Sequence, residues 1–268
     1  MVEIMVTVSP DLIYKHSNTF PIIKKVHQIL EDDSEIIELL RMSNIMAVSR
    51  LKYNDHGIIH ARIVAGTSLE LIDILYGIGI EMTYIRDGTA KNIDEVKIIV
   101  LISSYLHDIG NAIHRVNHEL LGVVIAKDII DRVLSRLGFD GRRAISIRQE
   151  ILHNIYASDY NIQCLSIECG IVKISDGLDM AEGRARIPYR LGKLDMHAIS
   201  ALSIKRVDIE KSQNFKRPID IIVYMSESAG LFQLEAVLMP KIKSSGLENL
   251  LNIYIDVDGK SVRYYPKE

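Results

Sequence analysis

The chain has few of the residues that mark several common classes of protein. Among its 268 residues there is no tryptophan and there are four phenylalanines, so few aromatic platforms exist on which single-stranded nucleic acid could stack. The net charge of −3 excludes a global basic field for nucleic acid or for an anionic membrane. We therefore expect no nucleic-acid partner, and any phosphate-binding surface must be local.

Long apolar runs and targeting signals are also missing. The longest stretch without a charged side chain runs from Ile98 to His107, about half of the ~20 residues that a membrane-spanning helix needs. Glu3 stands where a signal peptide has basic residues. The two cysteines, Cys164 and Cys169, fit a reducing compartment, and we expect both to be buried thiols. The sequence thus predicts a cytoplasmic protein without a membrane partner.

Helical periodicity is present over the first two thirds of the chain. From about residue 11 to residue 185, apolar residues recur at spacings of three and four, which predicts six to eight helices. Turn-forming residues predict the breaks between them at 87–88, 110–111, 138–141 and 159–161.

After about residue 195 the period changes to two. This pattern predicts strands at 201–209 and 219–225, a helix at 229–243, and a final hairpin that turns at Asp258 and Gly259. The predicted fold class is mainly α, a helical bundle followed by a small α+β domain.

We place the two domains at residues 1–192 and 193–268. The alternating strands of the second domain are of the kind that covers a sheet edge or forms a dimer interface, so assembly into a homo-oligomer stays open.

Six of the nine histidines are clustered within 98 residues of the helical part of the chain. They are His56, His60, His107, His114, His118 and His153. His56 and His60 are four residues apart, as are His114 and His118, so each pair shares a face wherever its segment is helical. Because neutral imidazole is a common metal ligand, such a pair together with carboxylates can close a site for a divalent transition metal.

His107 and the neighbouring Asp108, which can also bind a metal, follow directly after the apolar segment 98–106, just before Gly110. Neighbouring residues of a helix point ~100° apart, so both reach one ion only at the rim of a bundle. That position is concave and accessible.

A charged segment follows in an otherwise apolar region. Lys173, Asp176 and Asp179 are spaced three and three along one helical face, and buried charges need partners or a metal. Three arginines suited to bidentate phosphate contacts come next: Arg184, Arg186 and Arg190. An ion pair between Lys173 and Asp176, and a solvated basic loop, stay open as the alternative interpretations.

With these motifs the chain resembles the HD superfamily of metal-dependent phosphohydrolases. Its members carry a His, then a His-Asp doublet, then a distant Asp on a helical bundle, and the order here is His60, His107, Asp108 and Asp176. The resemblance covers roughly residues 50–190 and implies that these four residues bind one ion.

In members with two ions, further histidines between the doublet and the last Asp hold the second ion. His118 and His153 stand at those positions, and His114 is an additional candidate. The resemblance implies one or two ions, with Asp108 as the bridging carboxylate of a pair. Histidine and carboxylate ligands suit Mn, Fe, Co, Ni or Zn better than Mg.

The expected reaction is hydrolysis of a phosphoester in a nucleotide or a related small molecule. A bound ion lowers the pKa of its water from 15.7 toward about 7, which supplies a nucleophile. The expected catalytic residues are Asp108, Lys173 and His114, with His114 or His56 as proton donor to the leaving oxygen. The expected substrate-binding residues are His56, Lys173, Asp179, Arg184, Arg186 and Arg190.

Two alternatives from other classes stay open. One is a regulatory HD module that binds a nucleotide without catalysis. All four core ligands are intact here, which argues against such a module. The other is a di-iron, oxygenase-type HD enzyme. The run of arginines favours a phosphate-containing substrate over this alternative. No glycine-rich phosphate loop, dinucleotide-binding fingerprint or nucleophile elbow is present.

Overall fold

A bundle of helices makes up most of the computed structural model, which describes residues 5–181 and 196–266. The bundle helices are α1 Leu12–Thr19, α2 Pro21–Glu31, α3 Ser34–Asn44, α4 Ile58–Gly77, α5 Thr83–Arg86, α6 Ile93–Leu106, α7 His118–Leu137, α8 Gly141–Tyr156 and α9 Ile167–Leu178. The predicted class, mainly α with a small α+β part after the bundle, is confirmed. Within the described ranges, no helix is long and apolar enough to cross a membrane.

Local sequence sets several helix ends. The side chain of Asp33 accepts hydrogen bonds from two backbone N–H groups at the start of α3. Asn92 and Ser166 each accept one such hydrogen bond, at the start of α6 and of α9. Gly138 ends α7 with a φ of 87°, a left-handed conformation that glycine adopts without steric cost, so the break predicted there is confirmed.

Helices α4 and α6 lie at the centre of the bundle. Every residue from 96 to 111 is buried, which explains why the part of α6 after Lys97 carries no charged side chain. His60 in the first turn of α4 and His107 just after α6 have ring centroids 5.2 Å apart, so these two helix ends meet.

A five-stranded sheet lies beside the bundle, with the order β1-β2-β3-β4-β5. The strands are β1 Val6–Thr7, β2 Ile204–Lys211, β3 Ile219–Met225, β4 Leu251–Val257 and β5 Lys260–Tyr265. The pair β3 and β4 is parallel, and the other neighbouring pairs are antiparallel. The hairpin of β4 and β5 turns at Asp258 and Gly259, both at positive φ, so the predicted turn is confirmed.

Helical segments accompany the sheet. α10 spans Met196–Ser203, α11 spans Leu231–Gln233 and α12 spans Met239–Ser245, with a π-helical turn at Leu234–Leu238 between the last two. α11, the turn and α12 connect the parallel strands β3 and β4, as a crossover between parallel strands requires. The helix predicted between the strands is confirmed.

One hydrophobic cluster runs through both parts of the molecule. It includes Leu101 of α6, Ile174 of α9, Leu238 of the π-helical turn and Ile253 of β4. β1, close to the N-terminus, pairs with β2 near the other end of the chain. The division into 1–192 and 193–268 falls between the described ranges and stays a prediction.

The two cysteines depart from the sequence-based expectation. Cys164 and Cys169 pair as a disulfide with their Cα atoms 5.5 Å apart, so the expectation of two separate thiols is wrong. The start of α9 causes this proximity, because Ser166 caps the helix at Cys169 and folds residues 164–166 back onto its first turn. Both side chains are buried, as expected.

Candidate metal centre

Four potential ligand atoms lie close together, from α4, from the two residues that follow α6, and from α9. Nε2 of His60 lies 3.2 Å from Nε2 of His107, 3.3 Å from Oδ2 of Asp108 and 3.2 Å from Oδ1 of Asp176. Nε2 of His107 lies 3.6 Å from the same oxygen of Asp108 and 3.8 Å from that of Asp176. His60, His107 and Asp108 are all buried, and within the described part of the chain they form the one compact group of side chains that could hold a metal ion.

The orientation of both imidazole rings is set by their other nitrogen. Nδ1 of His107 lies 2.8 Å from the carbonyl oxygen of Ser104, and Nδ1 of His60 lies 2.6 Å from Oδ2 of Asp179. A carbonyl and a carboxylate only accept hydrogen bonds, so in each ring Nδ1 carries a proton. In the neutral rings, Nε2 therefore presents a lone pair to the centre.

These atoms fit a divalent metal ion. Two imidazole lone pairs and two carboxylate oxygens converge without a donor among them, an arrangement that a cation stabilises. Ligands about 2.1 Å from one ion in a tetrahedral or octahedral shell lie roughly 3.0–3.4 Å apart. The three distances from Nε2 of His60 lie in this range, and the two from Nε2 of His107 are about 0.2–0.4 Å longer. Within the described residues, Oδ2 of Asp108 is buried and accepts no hydrogen bond of good geometry, as expected for an atom that binds an ion.

The other oxygen of Asp108 already has partners. Oδ1 accepts a hydrogen bond of 3.0 Å from Nδ2 of Asn111 and lies 3.1 Å from Nε2 of His118. Nη1 of Arg115 lies 3.0 Å from the same nitrogen of His118 and 3.3 Å from Oδ1 of Asn111. His118 thus contacts the centre through Asp108, at the first residue of α7.

Electrostatics keep both central carboxyl groups ionised. Burial alone would raise the pKa of Asp108, but the positive charge that His107 and His56 carry when protonated holds that pKa well below its usual range. For Asp176 burial is likewise opposed, first by the charge of Lys241, and its pKa is also well below the usual range. Burial lowers the pKa of His118, yet its contacts with Asp108 and Glu119 raise it overall to about 9.

The centre forms one wall of a cavity of about 450 Å³. Asp108 and Asp176 lie in this wall, and the cations Arg115 and Lys241 also line the cavity. The remaining lining is mixed, with Tyr53, Asn54, His56, His118, Glu119, Ser158, Tyr160, Asp179, Met180, Gln233, Ala236 and Val237. Residues from α11 to α12 therefore line one side of the cavity, whereas the candidate metal ligands all belong to the bundle.

Sequence analysis missed the two cations at this cavity. Nζ of Lys241 lies 2.6 Å from Oδ2 of Asp176, although 65 positions separate the two residues in the sequence. No motif around Lys241 signals this role, and Arg115 stands in a loop without a periodic pattern. Only the packing of distant segments brings Lys241 to the centre.

Lys173, predicted as a catalytic and phosphate-binding residue, does not face the cavity. Its Nζ donates to the carbonyl oxygen of Ile162 and to both oxygens of Ser244, and its side chain is fully buried. The alternative of an ion pair with Asp176 is also absent from the described contacts, because Lys241 takes that position. The side chain of Lys173 points instead toward α12.

Two of the predicted histidines also lie elsewhere. His114 is exposed in the turn before α7, where Nδ1 accepts a hydrogen bond from the backbone of Val116. His153 is half-buried, and its Nε2 accepts a hydrogen bond from the backbone of Leu165. Neither residue lines the cavity, so the structure lends no support to His114 as proton donor or to His153 as ligand of a second ion.

The other predicted substrate-binding residues divide into two groups. His56 and Asp179 line the cavity, and the described contact of Asp179 with the centre is the one that orients His60. The three arginines predicted to bind phosphate lie outside the described residues: Arg184, Arg186 and Arg190.

Comparison with known proteins identifies one relative. No protein-family profile matches the chain. No solved structure matches it either. The chain is 40% identical over 235 residues to the uncharacterized protein MJ1020 of Methanocaldococcus jannaschii, and the match covers 88% of this chain and 89% of that protein. The chain therefore belongs to the same family as MJ1020.

Proposed function

We propose that the protein is a metal-dependent phosphohydrolase that hydrolyses a phosphoester bond in a nucleotide or a related small molecule. The observation that carries the proposal is the set of four ligand atoms at the wall of a cavity that also holds two cations. The motif order of the HD superfamily supports the same function, since the four residues of that order are the four that meet.

The ligand set consists of His60, His107, Asp108 and Asp176. Two imidazoles with two carboxylates favour Mn, Fe, Co, Ni or Zn over Mg or Ca, whose shells consist mainly of oxygen. When bound, such an ion supplies a hydroxide from water at neutral pH and polarises phosphoryl oxygens.

The chain's own residues position the ligands and the substrate. Asp179 and Ser104 orient the two imidazoles. Arg115 and Lys241 offer positive charge to the non-bridging oxygens of a phosphoryl group, where charge must be stabilised during hydrolysis. Of the two histidines predicted to protonate the leaving oxygen, His56 lines the cavity and is the one we propose.

The size of the cavity agrees with a small-molecule substrate. Its volume of about 450 Å³ lies within the range of roughly 300–1,000 Å³ that is usual for small-molecule sites. Tyr53 and Tyr160 supply aromatic surface for a base, while the centre and the two cations supply the phosphate end.

Elemental analysis combined with a substrate screen tests the proposal. We would compare the wild type, Asp108→Ala and Asp128→Ala, whose carboxylate is on α7 with its side chain 88% exposed. The wild type and Asp128→Ala should each hold a transition metal and release phosphate from one nucleotide class, and Asp108→Ala should do neither. The panel includes deoxynucleoside triphosphates, monophosphates, cyclic nucleotides and guanosine polyphosphates, each with Mn, Co, Fe, Zn and Mg.

Other results would contradict the proposal in distinct ways. Metal without release from any substrate would favour a binding module or redox chemistry. Absence of metal under every loading condition would remove the centre itself, and so would an Asp108→Ala variant that keeps both metal and turnover.

A further inference from the structure

We propose that Lys241, supplied by α12 outside the helical bundle, anchors a phosphoryl group at the metal centre and holds Asp176 in its ligating orientation. The phosphoryl part rests on the proposed function, since it names the residue that binds the phosphate of that substrate. The site is then composite, because the bundle supplies the metal ligands and the C-terminal part supplies the anion-binding cation.

Contacts of the Lys241 ammonium support this role. Nζ lies 2.6 Å from Oδ2 of Asp176 and 3.2 Å from the carbonyl oxygen of Ser158. The opposite oxygen of Asp176, Oδ1, is the one that lies 3.2 Å from Nε2 of His60. Lys241 therefore binds the outer oxygen of the carboxylate and leaves the inner oxygen directed at the centre.

An ammonium group has a further donor beyond these two contacts. It carries three N–H groups, and among the described residues two acceptors of Lys241 lie within hydrogen-bonding distance. Lys241 lines the cavity, and its side chain is 13% exposed. A phosphoryl oxygen in the cavity is a suitable partner for the third N–H, because lysine binds phosphate as a compact point charge.

Two glycines of α9 allow α12 to come this close. A Cβ on Gly177, the residue after Asp176, would stand 3.0 Å from Leu238 Cδ1 and 3.1 Å from Cδ of Lys241. A Cβ on Gly170 would overlap the backbone of Ser245 at the end of α12. Gly170 and Gly177 are two helical turns apart and share a face, so α9 presents a backbone surface to the segment that carries Lys241.

The neighbouring lysine has a different task. Lys173 donates to Ser244 near the end of α12 and to the loop carbonyl of Ile162. This contact positions α12, whereas Lys241 is the lysine of the pair that lines the cavity. The two lysines are thus separable by mutation.

Titration of the full-length protein with inorganic phosphate, by calorimetry in excess Mn²⁺, tests the proposal without need of turnover. Lys241→Met should weaken phosphate binding about tenfold or more, the usual effect of losing one charge-assisted hydrogen bond. Lys241→Arg should restore most of it. Lys243→Met removes the same charge from an exposed position of α12 and should bind phosphate like the wild type.

The same samples report on the positioning role. Mn²⁺ affinity should fall in Lys241→Met and return in Lys241→Arg, while circular dichroism and the Tm of both variants should stay near those of the wild type. If Lys241→Met does not fold, Lys241→Gln, which can still donate to Ser158 and Asp176, replaces it.

Equal phosphate affinity in Lys241→Met and the wild type would overturn the anion-binding role, and so would a wild type that binds Mn²⁺ but no phosphate. Equal Mn²⁺ affinity in both would overturn the positioning role. Failure of the proposed function is a separate result: in that case phosphate binds and depends on Lys241, yet no nucleotide of the panel is hydrolysed.

Discussion

Asp179 and His60 are joined by a 2.6 Å hydrogen bond between Oδ2 and Nδ1, in a buried position beside the metal centre. Because the carboxylate accepts, the proton of the neutral ring stays on Nδ1 and Nε2 is directed at His107, 3.2 Å away. Asp179, which the sequence predicted to bind substrate, thus sets the orientation of His60, a candidate metal ligand.

Replacement of Asp179 by Asn should weaken metal binding. An amide is a weaker acceptor than a carboxylate and can turn its NH₂ group toward Nδ1, so the ring loses its fixed orientation. The loss of such a supporting carboxylate typically lowers metal affinity about 10- to 100-fold. Competition with a chromogenic chelator measures the change, and Asp128→Asn on the surface of α7 is the control. Unchanged affinity in Asp179→Asn would contradict the orienting role.

We expect the protein to hold one tightly bound ion rather than two. Nδ2 of Asn111 donates to Oδ1 of Asp108, and Nη1 of Arg115 lies 3.0 Å from Nε2 of His118, so donor groups stand where a second ion would need free ligand atoms. His153 has its Nε2 bonded to the backbone of Leu165. Elemental analysis should therefore show about one equivalent in the wild type and in His118→Gln. Two equivalents in the wild type, with one lost in His118→Gln, would show that the second site forms.

Lys173 should make stability depend on pH in the alkaline range. Burial first, and then the charge of Lys241, lower the pKa of Lys173 from 10.5 to about 8 in the folded protein. Between pH 8 and 10.5 the unfolded chain binds more protons at this residue, so the folded state gains stability as the pH rises. The free energy of unfolding of the wild type minus that of Lys173→Met should increase over this range, by about 1–3 kcal/mol once solvent screening is allowed for.

Urea unfolding of both proteins at several pH values checks this expectation for Lys173. A flat difference would mean that the lysine is not desolvated. A fall in kcat at constant stability in Lys173→Met would restore the catalytic role that the sequence predicted.

Gly110 and Gly77 should respond in opposite ways to alanine. A Cβ on Gly110 would overlap the carbonyl of His118 and come within 2.5 Å of the backbone nitrogen of Gly122, so α7 would have to move. We expect Gly110→Ala to lower the free energy of unfolding by about 3 kcal/mol. Gly77 at the end of α4 has nothing within 4 Å, and Gly77→Ala should raise stability by about 0.4–1 kcal/mol, because alanine has less backbone freedom to lose. Similar urea midpoints for the two variants would refute the predicted contact of α7 with Gly110.

The sequence could predict the helical bundle and the meeting of the four central side chains. His60, His107 and Asp176 each lie near a helix end, and the order of the motifs implied that these ends converge. Where the side chains of Lys173 and His153 point could not be predicted from the sequence in the same way. Both lie on helices with the expected period, but which face of α9 meets α12, and which face of α8 meets the loop at Leu165, depends on contacts between segments far apart in the chain.

What the sequence determined by itself is local: the period of the helices, the caps and breaks, the turn at Asp258 and Gly259, and the ligand motifs. These follow from backbone geometry over a few neighbouring residues. The tertiary structure alone decided that Lys241 contacts Asp176, that Asp179 contacts His60 and that β1 joins the C-terminal sheet. The physical reason is that such contacts depend on how closely two segments pack, as Gly170 and Gly177 of α9 allow for α12, and no short stretch of sequence contains that information.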